Sequence, residues 1–329
     1  MRVSIHVHLI ALDFSKAFDT VRHSYLAEQL AEMPIPDNVY NWIIAFLEDR
    51  SHATNFNGEI SFTIKINCSI VQGSGLGPID FIITISKFRP CHSGNRIQKY
   101  ADDTYLLIPS SNSATIPAEL DHVTQWSVTC NLKINSNKTY EMIVRGPGWR
   151  AGGGSDPIET PGLTRVSSLK VLGVILSNNL SFNIHIDKIC CRARQSLYAF
   201  RALAAHGLAG RKLYDVVRAT TLSRLLYAAP AWWGYAGQQE KGRLQAMINR
   251  LIRQHYLPGD NPTFEELCRH ADTRLFSAVL TRPGHVLHEL LPPAKQTGHN
   301  LRPRHHDRVL PRTDNQMRKT FVTRMLFTY

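Results

Sequence analysis

Tyr100-Ala101-Asp102-Asp103 sets two adjacent carboxylates between Ile97 and the apolar run Leu106-Leu107-Ile108, a pattern that reads as strand, tight turn, strand. Side chains of successive strand residues point to opposite faces, so both acids reach one site only if the backbone turns between them. Taken alone, such a pair is ordinary turn punctuation. A third acid changes its weight. Asp13 follows the apolar strand Leu9-Ile10-Ala11-Leu12 and opens the run Asp13-Phe14-Ser15-Lys16-Ala17-Phe18-Asp19, which puts it on the rim of a sheet. Three rim carboxylates can hold two Mg²⁺ ions, hard cations that prefer oxygen donors and keep positions open for phosphate oxygens; Mn²⁺ suits the same donors. Two such ions clamp both ends of an in-line phosphoryl displacement, the chemistry of polymerases and nucleases.

The elements that must position these acids can be read around them. Asp19 is placed to cap a helix through Leu26 and Leu30 that Pro34 and Pro36 end. Val39, Trp42, Ile43, Phe46 and Leu47 recur at helical spacing and predict a core-facing stripe. Asn57-Gly58 suits a type I′ hairpin turn, with Ile60, Phe62, Ile64 and Ile66 alternating after it. In Gln72-Gly73-Ser74-Gly75-Leu76-Gly77-Pro78 the glycines let backbone N–H groups approach a ligand, and Pro78 starts a helix through Phe81 and Ile82. Such a loop is by itself a generic turn more often than a nucleotide site. Gly146 to Pro157 is rich in Gly and Pro and reads as loop, and Leu169 to Ile175 reads as a short hairpin. Beyond it the apolar period becomes helical: Ile186 to Ala204, Leu213 to Thr220 and Leu244 to Ile252 predict three helices of a bundle. Trp232-Trp233 could stack on a base, but within Ala228-Ala229-Pro230-Ala231 they read rather as packing residues at a helix end.

The 329 residues carry 38 Lys and Arg against 26 Asp and Glu, a net charge of +12 that favours a polyanionic partner, nucleic acid foremost. Lys188 with Arg192, and Arg243 with Arg250 and Arg253, fall on or near shared helical faces outside the apolar stripes. From Asn300 onward Arg302, Arg304, Arg308, Arg312, Arg318, Lys319 and Arg324 face only two acids, which reads as a nucleic-acid contact or a partly ordered tail. No apolar stretch approaches the ~20 residues of a membrane span, and there is no signal-peptide core, so an intracellular protein of nucleus or cytoplasm is expected, with no membrane partner. The six cysteines have no zinc-finger spacing and are expected to be reduced.

The runs holding Asp13, Gln72 to Pro78 and Tyr100 to Asp103 are followed by Leu132-Lys133-Ile134-Asn135-Ser136-Asn137-Lys138-Thr139 and by Leu172-Gly173-Val174. In this order and spacing they resemble the reverse transcriptase of a non-LTR (LINE-like) retrotransposon, over nearly the whole chain and only loosely in its last third. The resemblance implies an α+β fold: a right-hand polymerase palm, antiparallel sheet with packed helices, over residues 1–177, an α-helical thumb-like region over 178–260, and a basic C-terminal extension over 261–329. Only twelve residues precede Asp13, where the family carries its fingers, so an N-terminally truncated copy with fingers largely missing is expected.

By resemblance, Asp13, Asp102 and Asp103 are the catalytic metal ligands, Asp103 the least direct, and Lys138 approaches the triphosphate. Phe14, Phe18, Gln72, Gly73 and Gly75 lie at the incoming nucleotide and template, with the Phe18 ring leaving no room for a ribose 2′-hydroxyl. Leu172 and Gly173 form the primer grip. The implied partners are an RNA template, a DNA primer, deoxynucleotide triphosphates and other element-encoded proteins, and the implied reaction is RNA-directed DNA synthesis. A group II intron maturase-like protein and a catalytically inactive nucleic-acid-binding remnant are the alternatives.

Overall fold

The computed structural model describes residues 6–71, 73–146, 149, 157–295 and 306–329. The chain folds as two compact units, Met1–Ser167 and Ser168–Tyr329.

The first unit is organised by a five-stranded sheet. Strands β1 (His6–Leu12), β2 (Arg96–Tyr100), β3 (Asp103–Pro109), β4 (Tyr140–Arg145) and β5 (Thr164–Arg165) lie in the order β5-β4-β1-β3-β2, so β1 is central. Its pairings with β3 and β4 are antiparallel. One face of β1 and β3 carries Ile10, Leu12, Leu106 and Ile108, all buried against Phe88, Ile116 and Val123. The helices α1 (His23–Ala31), α2 (Asp37–Leu47), α3 (Gly77–Thr84) and α4 (Ile116–Thr129) complete the unit. This is the mixed sheet-and-helix architecture expected for a palm.

Three local expectations are corrected. Asp19 caps no helix: it lies inside a single turn, Ala17–Thr20, started by Lys16 in the left-handed region (φ 50°). Val21 is then extended and Arg22 bridges to Cys68, so α1 begins only at His23, without a side-chain cap. In α2 only Ile43 and Leu47 of the predicted stripe are buried, while Val39 and Trp42 (59% exposed) face solvent. The Asn57-Gly58 turn forms as expected, with φ 51° and 89°, but the apolar residues after it make no continuous strand. Ile60, Phe62 (80% exposed) and Ile64 stand out of the core: among the described residues this region forms only the two-residue pairings of Asn55–Phe56 with Glu59–Ile60 and of Ser51–His52 with Ile64–Lys65, and these side chains stay exposed.

The second unit opens with the hairpin β6 (Ser168–Val171) and β7 (Val174–Ser177) and is otherwise helical: α5 (Asn183–Ala205), a broken helical stretch from Gly210 to Leu226, α6 (Gln238–Arg253), α7 (Phe264–Thr281) and α8 (Phe321–Thr328). One large apolar core runs from Val174 of the hairpin through Ile186, Leu197, Trp232, Ile248 and Phe264. The hairpin therefore packs with the helices. Trp232 and Trp233 are buried, as their setting predicted. Thr263 caps α7 in a reciprocal box with Glu266, which satisfies two N–H groups that the first turn would otherwise leave open. The C-terminal helix α8 seats Met325 and Leu326 on Phe276, and Arg324 Nη2 donates to both carboxylate oxygens of the buried Asp272, at 2.8 and 2.9 Å. Arg324 is thus a structural cation rather than a free one, while Arg302 and Arg304 lie outside the described residues. No helix among the described residues is long and apolar enough to cross a membrane.

Candidate active site and nucleic-acid interface

The register of the central strands decides where the acids meet. Leu12, the last residue of β1, pairs with Thr104 of β3, so Asp13 and Asp103, each the next residue along its strand, come to the same edge of the sheet. Tyr100 and Asp103 close the hairpin between β2 and β3, leaving Ala101 and Asp102 as its two-residue tip; Ala101 takes φ 49° to make the turn. Asp102 and Asp103 are exposed and Asp13 is half-buried. All three donors are carboxylate oxygens, the set hard divalent cations prefer. Their oxygens do not all fall within 4.8 Å of one another.

Asn135 is a neighbour whose role the sequence does not disclose. Its side-chain amide donates to Asp13 Oδ2 at 3.0 Å and its backbone N–H to the Asp13 carbonyl at 2.8 Å. Phe14 pairs with Ile134 and Ser15 with Lys133, so the two segments run side by side past the acid. The turn that follows carries Lys138, exposed, its N–H bonded to the Asn135 carbonyl. Asn135 stands inside the run from Leu132 to Thr139, but only the fold brings it to Asp13.

Phe14 is buried and packs edge-on to Trp126, which leaves only its backbone available to a substrate. Phe18 is half-buried and stacks on Phe81 of α3, with ring centroids 4.8 Å apart. That stack joins the acid-bearing loop to the helix behind the glycine loop. In the loop Gly73 has φ 85°, a conformation that favours glycine, and a Cβ at Gly77 would meet the Val71 carbonyl at 3.0 Å. Ser74 Oγ donates to the Val71 carbonyl at 2.8 Å and accepts from the Gly77 N–H at 2.9 Å, closing the turn. Around Gly75 there is open space. Gln72 lies outside the described residues.

A half-buried lysine and a buried carboxylate hold this frame from behind. Lys99 of β2 donates to the carbonyls of Ile85, Ser86 and Phe88 at the end of α3, and burial together with Arg89 lowers its pKa to about 8. Under β1, His8 Nδ1 lies 2.8 Å from Glu141 Oε1, while Thr160 donates to Oε1 and Arg165 to Oε2. Burial alone would raise the Glu141 carboxyl, but these hydrogen bonds and the Arg165 charge outweigh it and hold it down at about 2.

Leu172 and Gly173 belong to the second unit, as the tip of the β6–β7 hairpin with φ 45° and 88°. Tyr227 fixes that tip: its hydroxyl donates to the Leu172 carbonyl at 3.0 Å, and a Cβ at Gly173 would meet its ring at 3.1 Å. Nothing in the spacing of Tyr227 announces this contact. On the helical face, Arg194 of α5 and Arg243 and Arg250 of α6 line one cleft of about 220 Å³, with Arg243 paired to Asp187.

The comparison with known families places this sheet and the loop ahead of it. The chain belongs to the reverse transcriptase (RNA-dependent DNA polymerase) family, whose model matches residues 3–176, just over half of the chain. Within that family its likeness is to non-LTR retrotransposon enzymes. It is 26% identical over 327 residues to a probable RNA-directed DNA polymerase from transposon BS of Drosophila melanogaster, covering 88% of this chain and 34% of that protein. It is 29% identical over 197 residues to the RNA-directed DNA polymerase from mobile element jockey of Drosophila melanogaster, covering 54% of this chain and 20% of that protein. A telomerase from Candida tropicalis in complex with a telomeric RNA fragment aligns with a TM-score of 0.45 at 12% identity, over 87% of this chain and 41% of that one, too low a likeness to carry an argument. The chain spans about a third or less of the length of the curated relatives it matches. The family generally works with divalent metal ions.

Proposed function

We propose that this chain carries the nucleotidyl-transfer centre of a non-LTR retrotransposon reverse transcriptase, extending a DNA primer with deoxynucleotides on an RNA template. The observation that carries the reading is that β1, ending at Leu12 opposite Thr104, brings Asp13 to the sheet edge where Asp103 and the Asp102 hairpin tip lie. Asp13, Asp102 and Asp103 hold the divalent ions, Mg²⁺ in our reading. Divalent ions held by these carboxylates would make a primer 3′-hydroxyl more acidic and would neutralise charge on the departing pyrophosphate. Asn135 keeps one Asp13 oxygen fixed so that the other can turn to the site. Lys138, in the turn that Asn135 begins, reaches toward the triphosphate and can give a proton to the leaving group. The glycine loop around Gly73 and Gly75 brings backbone N–H groups to the nucleotide, and Phe18 bounds the sugar. The Leu172-Gly173 tip holds the primer end through its backbone. Residues 168–329 supply the phosphate-tracking cations, with Arg194, Arg243 and Arg250 as their centre.

Primer extension on an RNA template with deoxynucleotides and Mg²⁺ tests this reading. Asp13→Asn and Asp102→Asn are each expected to remove synthesis while RNA affinity stays close to that of the parent, since distant Lys and Arg contacts are untouched. Extension by Asp102→Asn near the parent's rate would take Asp102 out of the site.

A further inference from the structure

Outside the acid-tipped edge, one other place in the first unit gathers metal-ligating atoms. Among the described residues, Cys91, His92 and Glu119 are the only three His, Cys, Asp or Glu side chains whose ligand atoms all lie within 4.8 Å of one another. Cys91 Sγ is 3.1 Å from His92 Nδ1, and His92 Nδ1 is 3.3 Å from Glu119 Oε1. Bonds of about 2.3 Å to sulfur and about 2.0–2.1 Å to nitrogen and oxygen give tetrahedral edges of roughly 3.3–3.6 Å, so the observed edges need to open by only a few tenths of an ångström.

The carboxylate of this trio is built in. Glu119 is 0% exposed, in the first turn of α4. Its oxygens accept from the Cys91 N–H at 3.2 Å, the His92 N–H at 2.9 Å and the Asn95 amide at 2.9 Å. Asn95 in turn accepts from Asn112 and donates to Thr115. Burial alone would raise the Glu119 carboxyl, yet Asn95 and the two backbone N–H groups keep it below its ordinary value and hence ionised. The anion and the loop are therefore pre-arranged, while Cys91 is exposed and leaves a side of the trio open to water.

We propose that Cys91, His92 and Glu119 bind one zinc ion, with water as fourth ligand. A thiolate, an imidazole nitrogen and a carboxylate are a borderline-soft donor set that suits Zn²⁺ and disfavours Mg²⁺. The cation neutralises the thiolate and the carboxylate, and metal coordination deprotonates the thiol outright. The site is separate from the polymerase acids, whose donors are oxygen only. Its consequence is mechanical: zinc ties the Arg89–Asn95 loop to α4, and that loop leads directly into β2, the strand whose hairpin ends in Asp102.

Cobalt is the probe, because a thiolate bound to Co²⁺ gives a charge-transfer band and a tetrahedral site gives strong d–d absorption. The full chain should take up one Co²⁺ with both signatures, and Zn²⁺ should displace it. Cys91→Ser should abolish the thiolate band, and His92→Asn should weaken binding by at least about tenfold. Cys191→Ser should leave the spectrum unchanged. Glu119→Gln removes a buried anion and can fail to fold, so the two surface variants decide the matter. No thiolate band in the parent, or a band that survives Cys91→Ser, would overturn the proposal.

Discussion

The two units of this chain divide its physical work unequally. Residues through Ser167 carry 14 Lys and Arg against 16 Asp and Glu, an excess of two negative charges, whereas residues from Ser168 carry 24 against 10, an excess of fourteen positive charges. The overall +12 is therefore a property of the helical unit. The interiors differ in the same sense. The helical unit buries a large apolar core around Trp232 and a smaller one around Phe276, with His185 and Asp272 as its buried imidazole and carboxylate side chains among the described residues and Asp272 paired to Arg324. The palm buries His8, Asp80, Glu119 and Glu141 among its apolar clusters. A polyanion is drawn to the unit where cations are in excess, and the proposed chemistry sits where acids are held at a sheet edge.

The sharpest test of this division is in the helical core. Trp232 is 0% exposed and its indole N–H donates to the Tyr227 carbonyl at 3.0 Å. Trp232→Ala should cost about 3–5 kcal/mol, and hydrogen exchange should show weakened protection concentrated in residues 168–329. An equal weakening in the palm would break the comparison. On the palm side, Asn135→Ala frees an oxygen of Asp13. By analogy with other outer-shell partners of metal ligands it should lower the rate of primer extension about ten- to a hundredfold without changing RNA affinity. An unchanged rate would show that Asp13 needs no orienting group.

Asp80 gives an effect on the order of 2 kcal/mol that depends on pH. It is 1% exposed, one of its oxygens has no hydrogen-bond partner, and burial pushes its pKa up to about 6 despite the pull of His23. Between its ordinary value and about 6 the folded state holds a proton that the unfolded state has released, so stability falls as pH rises through that window. Asp80→Asn should therefore gain on the order of 2 kcal/mol in urea unfolding at pH 7 and almost nothing below about pH 4. A gain of equal size at both pH values would assign it to packing rather than charge. The smallest effect belongs to single cations of the helical cleft. Arg194→Ala or Arg250→Ala should reduce the slope of log affinity against log salt by about one for each phosphate that is no longer neutralised, with little change in stability. A slope that stays at the parent value would move the nucleic-acid track elsewhere.

The residues proposed to do chemistry were legible because their meaning is local. An acid after an apolar strand, an acid pair in a turn and a glycine loop ahead of a helix keep their identity whatever packs around them, and the helices of the second unit followed from their 3.6-residue apolar period. Burial was less legible. Trp42 and Phe62 carry the same apolar signal as Ile43 and Phe81, yet they face solvent, because whether a stripe is covered depends on elements distant in sequence. Asp19 read as a cap because its type permits one; the left-handed Lys16 ahead of it and the extended Val21 behind it decided otherwise. What tertiary structure alone decided are the long-range partners: Asn135 on Asp13, Tyr227 on Leu172, Arg324 on Asp272, and Glu119 beneath Cys91 and His92. Each joins residues tens of positions apart through polar atoms that show no periodicity. The order of residues along the chain therefore determined which carboxylates are candidates for chemistry, and the pairing of β1, β2 and β3 determined which sheet edge they share.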